Sequence, residues 1–132
     1  MNIYKLVAII LCFGLGMLLL NSCGQRYTHS DFVGKWVSAD GAKLEFNKKN
    51  FKAFNLRKNA VFGTTLKDKL VSASGEWAVE DNQLDIDFNA VDNAKELVRI
   101  NMNTSGRGNS MCISFTVGDP DDVNFYEFYR PK

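Results

Sequence analysis

The chain of 132 residues carries 16 Lys and Arg against 15 Asp and Glu, and 45% of its residues are hydrophobic. Near-neutrality excludes a strongly basic nucleic-acid binder, and the apolar fraction excludes a disordered polar chain. Three cysteines are too few for a disulfide scaffold.

Met1 to Lys5 form a short leader with one positive charge, and Leu6 to Leu20 run apolar without a charge. As a helix that run rises only about 22 Å, short of the roughly 30 Å hydrocarbon core. The pattern predicts an export signal over residues 1–22 rather than a permanent membrane span. Its end, Leu20-Asn21-Ser22-Cys23, resembles the lipobox of bacterial lipoproteins. That resemblance implies cleavage before Cys23, lipidation of its thiol, and a cell-envelope address with the membrane as partner. Gly24 follows in place of a retention aspartate, which points to the outer rather than the inner membrane.

Residues 23–132 suffice for one domain and are too few for two. Cys12 leaves with the signal and Cys23 takes lipid, so Cys112 remains as a lone thiol, expected to pack as a small apolar group. Residues 23–31 are expected as lipidated cysteine and polar tether, and residues 32–132 as the folded domain. From residue 33 the signal is two-residue alternation. Leu84, Ile86 and Phe88 share one face with aspartates opposite; Met111, Ile113, Phe115 and Val117 share another. Val98, Ile100 and Met102 alternate with polar residues, and 123–129 carries aromatics on both faces. Asp40-Gly41 and Asp81-Asn82 read as hairpin turns, since Gly and Asn tolerate positive φ.

Strands are expected near 33–38, 42–46, 50–55, 59–63, 69–78, 83–88, 96–102, 111–117 and 123–129, with a loop over 89–95. Eight or nine short strands with short connections predict an all-β, antiparallel up-and-down meander, closed so that no edge is exposed. Gly34-Lys35-Trp36 is echoed by Gly75-Glu76-Trp77, each leading to a hairpin, which reads as a reused hairpin rather than a solenoid.

Asp31-Phe32-Val33-Gly34-Lys35-Trp36 resembles the opening of lipocalins, fatty-acid-binding proteins and avidins, where a helical turn leads into G-x-W. The resemblance implies a lipocalin-like barrel with Gly34 and Trp36 as structural signature. It also implies Arg130, after the last strand, packed across Trp36. Gly118-Asp119-Pro120-Asp121, followed by an aromatic strand, further resembles the late turn of small bacterial lipoproteins with a lipocalin-like domain, mostly of unassigned function.

Candidate chemistry is sparse. His29, the single histidine, falls in the tether and is expected to be solvated. Asp85 and Asp87 read as a solvent-facing strand surface. Asp119, Asp121 and Asp122 lack the ligand spacing of an EF-hand, and Ser105 to Gly108 lacks the helix that a phosphate loop requires. No catalytic residue, metal site or cofactor is expected. Residues 24–78 hold ten Lys or Arg against five Asp or Glu, and residues 79–132 the reverse. The halves therefore attract each other or steer a charged partner. The leading functional expectation is a small apolar or amphipathic ligand held inside the barrel. The alternative is a protein-interaction module (an inhibitor, immunity-type factor or assembly accessory) working through its outer surface.

Overall fold

Eight antiparallel strands follow one another around a closed barrel in a computed structural model that describes residues 26–63, 67–118, 121 and 124–132. The export signal, Cys23, Asp119 and Asp122 lie outside the described residues. The strands are β1 (Gly34–Ser38), β2 (Lys43–Phe46), β3 (Asn50–Arg57), β4 (Leu70–Glu80), β5 (Gln83–Val91), β6 (Ala94–Ser105), β7 (Cys112–Thr116) and β8 (Phe125–Tyr129). Short helices α1 (His29–Phe32) and α2 (Lys58–Phe62) precede β1 and follow β3. The meander closes where β1 pairs with β8, Val37 opposite Tyr129 and Ser38 opposite Phe128.

Alternation places the core. Leu84, Ile86 and Phe88 of β5 are buried, as are Met111 and, on β7, Ile113 and Phe115. On β8 the inward face is Tyr126 and Phe128, while Phe125 and Tyr129 stand outside at 43% and 44% exposure. The second aromatic face of 123–129 is thus core, and the first is surface.

Two sequence expectations are corrected. Residues 59–63 form no strand: Lys58–Phe62 is α2, with Ala60 and Val61 buried and the Phe62 ring 4.9 Å from Phe88. An apolar run of that length fits strand or helix equally, and packing across the barrel mouth against β3 and β7 decides for helix. Residues 89–95 are not a loop, because β5 runs to Val91 and β6 starts at Ala94. Asp92 and Asn93 between them, at φ 48° and 64°, make the same kind of tight turn as Asp81 and Asn82 at 49° and 66°. His29 is exposed, as expected, and its ring stacks on Trp77 with centroids 4.1 Å apart.

In an up-and-down barrel the turns alternate between two ends. The chain entry, the turns 47–49, 81–82 and 106–111, and Arg130 share one, here called the anchor end. The turns 39–42 and 92–93, α2, the start of β4, the end of β7 and the start of β8 share the other, the distal rim. β4 runs opposite to β1, so the two G-x-W hairpins turn at opposite ends of the barrel. Their indoles nevertheless both bond toward the anchor end: Trp36 Nε1 donates to Phe32 O at 2.9 Å and Trp77 Nε1 to Asn47 O at 2.8 Å.

Candidate functional site

Two ends and an outer seam carry the polar features of this barrel. At the anchor end, the Arg130 guanidinium lies 4.1 Å from the Trp36 ring centroid and donates to Val33 O at 2.9 Å and Asp31 O at 2.5 Å. Gly34 makes room for it: at φ +121° a Cβ here would lie 2.7 Å from Arg130 Nη1. The three residues singled out in the sequence as a structural signature, Gly34, Trp36 and Arg130, therefore meet at one point. They tie the last strand to the chain entry. Around them the entry segment is docked rather than loose. Tyr27 N donates to Asn82 Oδ1 at 2.5 Å, Tyr27 Oη donates to Gly106 O at 3.0 Å, and a capping box joins Thr28 to Asp31.

The interior is occupied by the protein's own side chains. Phe32, Trp36, Phe51, Phe88, Phe115 and Phe128 are each at most 1% exposed. Among them, Phe51 meets Phe88 edge-on at 5.1 Å and Phe115 meets Phe128 edge-on at 5.9 Å. The wall is thinnest at two seams. The described ladder between β6 and β7 spans only Asn103 to Ser105 opposite Ser114 to Cys112, and beside it the inward-facing Val98 and Ile100 are half-buried.

The second seam, between β1 and β8, opens on the outside into a cavity of about 430 Å³ near the distal rim. Ser38, Asp40, Arg57, Phe125, Glu127 and Tyr129 line it, with the Tyr126 hydroxyl at its floor. Arg57 Nε lies 3.1 Å from Asp40 Oδ2, and its guanidinium carbon sits 4.7 Å from the Tyr126 ring centroid. Tyr126 Oη donates to Asp40 Oδ1 at 3.3 Å, and the Ser38 hydroxyl donates to the same oxygen. Ala42 N donates to Ser38 Oγ at 2.9 Å. Burial pushes the Asp40 carboxyl up. The bonds from Ser38, Ala42 and Tyr126 and the Arg57 charge outweigh it, and the net shift is below the ordinary value. Burial also pushes the Tyr126 phenol up. Arginine and tyrosine are enriched among protein-binding hot spots, and phenylalanine is enriched at interfaces relative to the rest of the surface.

Sequence reading missed this cluster. In the sequence Asp40 reads only as a hairpin residue, Arg57 falls between two expected strands, and Tyr126 is one of several aromatics. They meet through strands far apart in the chain, and no local spacing signals that meeting. The remaining candidates resolve simply. Asp87 takes Arg99 in a two-bond fork at 2.6 and 3.1 Å on the outer face. Cys112 is half-buried on β7, and burial pushes its thiol pKa up. No group of three or more metal-ligating side chains occurs among the described residues. No family model matches the chain, and no curated protein or solved structure is significantly similar to it.

Proposed function

We propose that this protein is a lipid-anchored binding module of a bacterial cell envelope, lipocalin-like in type, that holds a protein partner at its outer distal rim. The observation that carries the reading is the groove at the β1–β8 seam. There the exposed Phe125 and Tyr129 flank Arg57 and Asp40 while the barrel's interior is packed with its own aromatic rings. An apolar side chain of the partner fits against Phe125, and a basic group fits Glu127, which is exposed, accepts the Tyr129 hydroxyl and enters none of the four described ion pairs. The anchor is supported by the lipobox-like Leu20-Asn21-Ser22-Cys23, and the lipocalin likeness by the meeting of Gly34, Trp36 and Arg130.

The test is photo-crosslinking in cells of the native organism, with a benzophenone side chain at Phe125 or Tyr129 and a control at Asp85 on the opposite wall. A discrete protein adduct at the two rim positions, absent at Asp85, is expected. Adducts no stronger than the control would overturn the reading.

A further inference from the structure

We infer that the anchor end of the barrel is a membrane-contact face, which takes the phosphate groups of an anionic lipid bilayer on its arginines and lysines. The inference rests on the lipid anchor of the proposed function and adds to it an orientation and a second binding surface.

Chain length carries the first part of the argument. Tyr27 is fixed to the barrel through Asn82 and Gly106, and His29 through Trp77. Only four residue steps separate Tyr27 from Cys23, a reach of at most about 14 Å. A lipidated Cys23 sits at the level of the headgroups, so the end of the barrel that holds Tyr27 cannot stand clear of them. The distal rim is a strand length away, roughly 28 Å for a tilted β4 of 11 residues. It is left facing outward, where the groove at the β1–β8 seam is open to a partner.

Charge carries the second part. The four ion pairs among the described residues are Lys35 with Glu45, Arg57 with Asp40, Lys69 with Asp92 and Arg99 with Asp87. Arg26, Lys48, Lys49, Arg107 and Lys132, all at the anchor end, enter none of them. The acids there are Asp31, Glu80 and Asp81, with Glu45 and Glu76 level with the 47–49 turn; Glu45 pairs with Lys35, and the Asp31 carboxylate already accepts Thr28 N at 2.7 Å. Arg26 and Arg107 line one notch of about 220 Å³ beside the entry segment, together with Tyr27, Asp31, Gly108 and Met111. Two guanidinium forks on one notch suit a phosphate, which they bind by paired charge-assisted hydrogen bonds. The Debye length of about 8 Å at physiological salt confines the attraction to groups at the surface, which is where the short reach puts these five.

The experiment uses the full chain, processed in a Gram-negative host and reconstituted in vesicles. A fluorescent amino acid is placed at Asn109 (anchor end) or Lys67 (distal rim), and quenching by a headgroup-nitroxide lipid is read. In phosphatidylglycerol–phosphatidylethanolamine vesicles the Asn109 probe should be quenched at least threefold more than the Lys67 probe. That difference should fall by half or more in phosphatidylcholine vesicles, and likewise in the Arg26→Glu/Arg107→Glu variant, whose near-UV circular dichroism from Trp36 and Trp77 reports an intact fold. Equal quenching at both positions, or a difference unaffected by both lipid charge and the double variant, would overturn the inference. Radiolabelled palmitate separates the two claims. Incorporation that Cys23→Ser abolishes, combined with equal quenching, sinks the contact face alone; failure to incorporate sinks the anchor and this inference with it.

Discussion

Arg130 lies across Trp36 at 4.1 Å, with both ends of its guanidinium fork bonded to carbonyls of the segment leading into β1. One side chain thus joins the last strand to the first. Arg130→Ala should cost about 2–4 kcal/mol, combining a partly desolvated cation–π contact with two charge-assisted hydrogen bonds. Arg130→Lys should recover less than half, because an ammonium offers no planar fork and stacks poorly. Urea unfolding followed by tryptophan fluorescence measures both.

Gly34 and Gly75 both resist a side chain, with different expected losses. At Gly75 a Cβ would lie 1.9 Å from Asp87 O, a backbone atom held in the β4–β5 ladder, so Gly75→Ala should abolish soluble folded protein. At Gly34 a φ of +121° strains any side chain, and the atomic obstacle is the tip of Arg130, a flexible side chain that can withdraw. Gly34→Ala should therefore fold with reduced stability and cost at least about 0.5 kcal/mol less in an Arg130→Ala background, the coupling that a double-mutant cycle isolates.

The Asp40 carboxyl has a folded pKa below its ordinary value. A carboxylate shifted down stabilises the fold above its unfolded pKa, near 3.9, and loses that contribution as pH falls through the lower folded value. Wild-type stability should therefore fall as the pH drops below about 4. Asp40→Asn should be less stable than wild type at pH 7 and show a shallower decline over that acid range. Thermal unfolding at a series of pH values tests it.

Burial raises the Cys112 thiol pKa first of all, and the nearby Glu127 charge adds to it, against opposing bonds from Tyr129 and Phe128. The thiolate is the reactive form. Cys112 should alkylate with iodoacetamide severalfold more slowly than a free cysteine peptide at pH 7.5, because burial both raises its pKa and limits access, a ratio that timed mass spectrometry reads directly.

Protein purified gently from cells should give the same mass in native and denaturing spectra once the lipid proposed for Cys23 is counted. Extra mass lost on denaturation would return the interior to consideration, with the half-buried Val98 and Ile100 beside the β6–β7 seam as the place of entry.

The elements written in alternation were readable. Leu84, Ile86 and Phe88 face inward because a two-residue period admits only one register with the aspartates outside. Gly34, Trp36 and Arg130 were readable for a different reason, a motif at one end and a position at the other. Residues 59–63 were not, because Asn59-Ala60-Val61-Phe62 is too short for its period to separate helix from strand. The turn at Asp92-Asn93 carried the same signal as Asp81-Asn82 and went unread amid the polar run around it. The Asp40–Arg57–Tyr126 cluster left no trace, since its members come together only once the barrel has closed.

Seven of the eight ladders join strands that are neighbours in the chain. Such local pairings form early, because each closes only a short loop. The eighth must bring Val37 to Tyr129, almost the full domain apart, for two residue pairs of ladder. Ring closure is therefore the late, entropically expensive step of folding. Before it, the half-formed meander presents β1 as a free edge, open to strands of other molecules, and the docking of Arg130 onto Trp36 ends that exposure.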